Sequence, residues 1–227
     1  MTNLRFIKIV FLATVLVSVI AGGFALIRVR AQVATIQPFV AIMVEEAAPR
    51  PDQPPTPVTR FQTIAVRSDG SISRVSKWDV RPPTRTIYWR DVIDATAKRR
   101  AEVEDTTGTI IKGEYSDQQV LKPGVLCDGA PAGQIEGLDV FYSEHPMGAR
   151  NPATSVMHKQ WQAPQLGCYA VKQEWVSKIA GAPMDTTQTL TSIEFREPDG
   201  WYFNIPANYT TRTSDEFMVL AKPFLKQ

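Results

Sequence analysis

Hydrophobic and polar positions fall into two unlike patterns along this chain. From Ile9 to Ile27 there is no charged residue and no polar face, so a helix of that run is apolar all round. Beyond residue 38 the apolar residues come in short runs rich in Val, Ile, Thr and aromatics, cut by Gly, Pro and Asp, which is the signature of strands. Such runs lie at 39–44, 60–67, 71–80, 86–93, 100–104 and 110–111, and again at 138–143, 155–161, 168–176 and 189–196. Asp69-Gly70 between two of them predicts a tight hairpin. The stretch from Pro49 to Pro57, and Pro82-Pro83, predict loops, because repeated proline cannot sit in a ladder. Residues 116–136, with Pro123-Gly124, Asp128-Gly129 and Pro131, read as an irregular connection. Thr213 followed by Glu216 forms a capping box for a short helix to about Ala221, stopped by Pro223.

These elements give a mainly β fold of about nine strands. They suit an antiparallel meander that curls into a half-barrel, barrel or sandwich, with an N-terminal hydrophobic helix and a short C-terminal helix. Residues 1–31 read as a signal peptide or signal anchor, and 32–227 as a single β-rich domain. Nineteen residues of helix reach about 28 Å, close to the hydrocarbon thickness of a bilayer. Arg5 and Lys8 ahead of the run orient it with the N-terminus inside. Val29-Arg30-Ala31 before Gln32 fits a signal-peptidase site, while the length of the apolar run fits a retained anchor. Both readings put the bulk of the chain outside the cytoplasm, in the periplasm or secreted.

Charge changes the picture once. The formal net charge is +2, but residues 1–31 hold four cations and no acid. Subtracting those four leaves 21 basic against 23 acidic residues, which disfavours a nucleic-acid binder. The balance is uneven, with 11 basic and 7 acidic residues over 32–100. The bland account is solvated surface. The functional one is a basic face, including Lys98, Arg99 and Arg100, that meets an anionic partner such as lipid headgroups.

Candidate chemistry is sparse. There is no nucleophile elbow, zinc-protease motif, phosphate loop or dinucleotide fingerprint, so no catalytic, cofactor-binding or metal residue is assigned. Cys127 and Cys168 are the only cysteines, and in an oxidising compartment two cysteines pair as a disulfide. A metal site joining them to His145 and His158 lacks the close ligand pairs that zinc requires. His145, before Pro146, reads as loop, and His158 as a surface position in a strand. Trp78, Trp89, Trp161, Trp175 and Trp201 read as core and cross-strand packing or as the wall of an apolar cavity.

Several patches carry a resemblance. They are Trp161-x-x-Pro164-x-Leu166-Gly167-Cys168, Ser192-Ile193, Glu197-Pro198-Asp199 and Phe203-x-Ile205-Pro206-x-x-Tyr209, together with Pro38-Phe39 and Arg67-Ser68-Asp69-Gly70-Ser71. The chain resembles a family of secreted β-rich bacterial proteins of acidobacterial type, over most of residues 36–210. More distantly it is similar to the periplasmic lipoprotein carriers of the LolA/LppX type, although it has no lipobox cysteine. The first resemblance implies an exported protein with no catalytic residue to carry over. The second implies a half-barrel holding lipid. Two function classes stay open: a non-catalytic envelope protein that binds a lipid, a hydrophobic ligand or a protein partner, and an extracytoplasmic hydrolase.

Overall fold

The computed structural model describes residues 34–48, 58–80, 85–147, 156–177, 185–217 and 219. The N-terminal apolar run, the Pro-rich loop and the end of the C-terminal helix lie outside them. Among the described residues no helix is long and apolar enough to cross a membrane.

Twelve strands form one sheet. The first six are β1 (Phe39–Ala47), β2 (Val58–Val66), β3 (Ile72–Val80), β4 (Arg85–Asp94), β5 (Arg99–Glu104) and β6 (Thr109–Gly113). The rest are β7 (Ala130–Ile135), β8 (Leu138–Met147), β9 (Val156–Ala163), β10 (Tyr169–Ser177), β11 (Thr186–Glu194) and β12 (Thr210–Arg212). The order is β12-β6-β5-β4-β3-β2-β1-β11-β10-β9-β8-β7. The expected meander is therefore two meanders, joined where β1 pairs antiparallel with β11. β12 lies parallel beside β6.

Three strands depart from the sequence reading, β12 among them, because no strand run is expected at 210–212. β7 lies inside the stretch expected to be irregular, and its exposed Ala-Pro-Ala-Gly-Gln-Ile sequence has the composition of an edge rather than of a core strand. His145, expected in a loop, is in β8. Beyond Tyr142 that strand pairs with β9 but no longer with β7, so Pro146 can stand there without an N–H.

Residues in register share a face, and two apolar clusters divide the faces. Phe39, Ala41 and Met43 of β1, with Ile64, Val66, Ile72, Val171 and Leu190, form one. The alternate positions Val40, Ala65 and Val75, with Val92, Val103 and Ile110, form the other. The sheet curls towards the first. Arg74 of β3 and Tyr169 of β10 interact although four strand spacings separate them, about 19 Å in a flat sheet. The first cluster thus lines the inner face.

Each face has its own cover. A 3₁₀ turn, Gly200–Phe203, lays Tyr202 and Phe203 on the outer cluster. Arg90, 3% exposed, pins it by donating to the carbonyls of Trp201 and Asn204 at 2.7 Å each and by a bidentate bond to Asp105 at 2.6 and 2.7 Å. Ser73 adds a bond to the Tyr202 carbonyl at 2.8 Å. On the inner face, Leu121 of the 114–129 connection packs against the first cluster. Its amide donates to the Gly70 carbonyl at 3.2 Å. Gly70 has φ +84°, and a Cβ there would stand 2.1 Å from the Leu121 carbonyl oxygen. The hairpin glycine is required twice, for its backbone angle and for this approach. Cys127 and Cys168 are bonded to each other, with Cα atoms 5.2 Å apart. The connection is thereby tied to the β9–β10 turn.

The capping box is present as a reciprocal pair. Thr213 Oγ1 accepts from the Glu216 amide at 3.2 Å, and Glu216 accepts from the Thr213 amide at 2.8 Å. The helix that it starts, 214–217, brings Phe217 edge-on to Trp89, 5.1 Å between ring centres.

Candidate functional site

The apolar side of the inner face stops halfway along the strands. On β2, Val66 and Ile64 belong to the core, and the next two positions on that side are Gln62 and Arg60. On β3, Ile72 is followed on that side by Arg74 and Ser76. Beyond the core runs a polar row across six neighbouring strands: Arg60, Glu45, Gln188, Gln173, Gln160 and Ser143. Side-chain bonds knit it. Gln188 donates to Glu45 at 2.7 Å and Arg60 to the same carboxylate at 3.3 Å. Gln62 donates to Ser76 at 3.0 Å.

At this level the sheet divides. The β2–β3 ladder ends at Gln62–Ser76. Yet β1–β2 pairing runs on to Ala47–Val58, and β3–β4 pairing to Val80–Arg85. Two rails thus continue with their shared ladder missing, and a cavity of about 610 Å³ opens at the fork. Its walls are Thr59, Arg60, Phe61 and Gln62 of β2, Ser76 and Lys77 of β3, and Glu45. Phe61 is 61% exposed. Lys77 has no ion-pair partner among the described residues. A strand edge that has lost its partner still carries backbone donors and acceptors aimed into the gap.

A second polar group lies nearer the core. Asp91 accepts from Arg74 at 3.1 Å and from Arg100 at 2.9 and 3.2 Å, and Glu102 faces Asp91 across the ladder. Burial and the Asp91 carboxylate raise Glu102 above its ordinary value, against the pull of Arg100. Burial on its own would lower the Arg74 guanidinium, but Tyr169 and Asp91 outweigh it and hold the charge. The group has the form of a structural ion-pair network, with both oxygens of Asp91 occupied.

The two histidines are cross-strand neighbours, a relation invisible in the sequence. His145 meets Asp128 at 2.7 Å on the surface. His158 meets Gln173 and Gln160, each at 3.0 Å, and stacks on Trp175, 4.8 Å between centres. Their partners are a carboxylate and two amides, none of them a hydroxyl or a thiol. Among the described residues no three His, Cys, Asp or Glu side chains converge as a metal site. The tryptophans take different places, and Trp161 packs against the first core cluster. Trp161 lies against Tyr142 and under the Lys172 ammonium, and Trp201 stacks on Tyr202 while 51% exposed. The side chain of Trp78 is outside the described residues.

Lys98, Arg99 and Arg100 stand at the opposite end of the sheet from the fork. The fork itself and the polar row escaped the sequence reading. The one signal for them is the change from Ile and Val to Gln, Arg and Ser on alternate positions of β2 and β3.

No family model matches the chain, and no curated protein does. Among solved structures, a LolA superfamily protein from Nitrosomonas europaea is similar, with TM-score 0.29 and 11% identity. The match covers 77% of this chain and 93% of that one. Similarity that low leaves function to be argued from the geometry of this molecule, whose disulfide is consistent with an oxidising, extracytoplasmic compartment.

Proposed function

We propose that this is a non-catalytic binding protein of the cell envelope, working outside the cytoplasm, whose ligand is an extended segment of a partner polypeptide held at the fork between β2 and β3. The carrying observation is the loss of the β2–β3 ladder beyond Gln62–Ser76 while both outer ladders continue. An extended peptide gains main-chain hydrogen bonds from such an edge and specificity from the side chains beside it. Phe61 is the apolar anchor. Arg60 and Lys77 favour an acidic group, and Gln62 and Ser76 offer amide and hydroxyl partners. An acyl chain fits this lining less well, because a cavity floored by Glu45, Gln62 and Ser76 would leave polar groups facing hydrocarbon. A hydrolase of the histidine-activated type would need a hydroxyl or thiol beside His145 or His158, and their partners are of other kinds.

Selection from a random peptide library on the purified full chain tests this. Binders should emerge that weaken by about tenfold when the aromatic anchor is removed in Phe61→Ala, with an unchanged melting temperature. The proposal fails if no peptide is enriched and a stoichiometric acyl lipid co-purifies from the native envelope. It fails also if the selected peptides bind away from β2 and β3.

A further inference from the structure

The end of the sheet opposite the fork has a different chemistry. Ala34, the first described residue, donates from its amide to the Val125 carbonyl at 2.7 Å and accepts from the Gly124 amide at 2.9 Å. The chain therefore joins the domain at the tip of the 114–129 connection. That tip is apolar and open, with Val125 40% and Leu126 62% exposed, and Lys122 beside it is exposed.

Two contacts link this tip to the basic run. Leu121 bonds the β2–β3 turn at Gly70. Asp69 of the same turn accepts from Thr96 of the β4–β5 turn at 2.8 Å, and Lys98 and Arg99 follow directly. Beside them opens a cleft of about 360 Å³ lined by Lys98, Arg99, Arg100 and Lys112, with apolar Ala101, Ile110 and Ile205. Arg99 is paired with Asp94 and Arg100 with Asp91. Lys98 and Lys112 have no ion pair among the described residues. The nearby acids are Glu114, which is exposed, and Asp117, which accepts from Tyr115 at 3.0 Å. The cleft thus keeps unneutralised cations above an apolar floor.

We infer that this end is a docking surface for an anionic lipid bilayer. Val125 and Leu126 enter the interface, and Lys98 and Lys112 meet phosphate headgroups. The length of chain ahead of Ala34 supplies the second argument. The apolar run ends at Ile27, and six residues at most about 3.5 Å apart reach roughly 21 Å. The headgroup layer takes up roughly 7 Å of that. Where the run is retained as an anchor, one of the two readings of the sequence, the Val125–Leu126 tip is held within that reach of the surface. Each cation near an anionic surface strengthens the attraction. The same seating points the fork away from the membrane, although the inference does not depend on what the fork binds.

The test uses the full chain in vesicles of three parts zwitterionic to one part anionic phospholipid, doped with a lipid bearing a photoreactive headgroup. Crosslinked peptides are mapped by mass spectrometry. Crosslinks are expected at 122–126, 98–101 and 112–115, and few at Phe61, Tyr88 or the 105–108 turn at the far end. Lys98→Glu should cut the yield at 98–101 and 112–115 by about fivefold, and vesicles lacking anionic lipid should do the same to the wild type. Leu126→Asp should abolish the 122–126 crosslinks, with the melting temperature confirming that each variant folds. Crosslinks confined to residues 1–31, or shared equally by the two ends of the sheet, would overturn the inference.

Discussion

The two ends of the sheet are built in opposite ways. At the end where the chain joins, turns are cross-braced. A disulfide, the Gly70–Leu121 contact and backbone bonds from Ala34, Thr35 and Gln37 to the 124–125 and 164–167 segments fix it. At the other end two rails continue past the last shared rung, and the side chains between them are polar and half open. The first arrangement spends covalent and hydrogen bonds on rigidity. The second leaves backbone edges unfilled, which natural sheets avoid unless something covers them. Stability and binding are therefore expected to separate along the strand direction.

The boundary between the two ends should give the largest effect. Arg90 stands one residue inside the rung where the fork begins and holds both Asp105 and the 3₁₀ turn. Arg90→Met should cost about 3 kcal/mol, the low end for breaking a buried ion pair, since Asp105 keeps some solvent contact. Chemical denaturation reads it, and a loss below about 1 kcal/mol, the scale of a surface pair, would mean that the outer cover is not held from here.

Next comes the disulfide. Replacing Cys127 and Cys168 together by Ser should lower stability by about 2–4 kcal/mol through the loop it closes. Proteolysis should then begin in the 114–129 connection and leave β2 and β3 intact. Cleavage first at the fork would reverse the comparison.

A smaller, pH-dependent effect belongs to Asp69. Burial on its own would raise its carboxyl, but bonds from Ser71 and Thr96 outweigh it and lower the value. A lowered folded-state value stabilises above the unfolded one and is lost as pH falls through the folded one. Asp69→Asn should therefore flatten part of the acid limb of a stability–pH curve below about pH 4. An unchanged acid limb would remove Asp69 from the bracing.

Much of the braced end could be read from the chain and little of the fork. Asp69-Gly70 announces its hairpin because a backbone angle demands glycine. Two cysteines in an oxidising compartment have one partner each, and Thr213 with Glu216 cap their helix through local bonds. These are short-range or binary choices. The union of β1 with β11 joins residues some 150 apart in the chain, and no local propensity encodes it. β7 was missed because Pro131 and Gly133 suit an edge as well as a loop. Arg90 looks like an ordinary strand charge until the turn at 200–203 folds over it. The polar row takes its six members from six strands, so it exists only once the register is set.

Hydrogen exchange of the full chain, resolved to single amides, measures the central claim directly. In the unliganded protein every second amide over 58–61 and 77–80 should exchange rapidly, while 62–66 and 72–76 stay protected. A selected peptide should slow the fork amides and leave the braced end unchanged. Equal protection of both halves of β2 and β3 without ligand, or slowing at the 114–129 connection in place of the fork, would contradict the account.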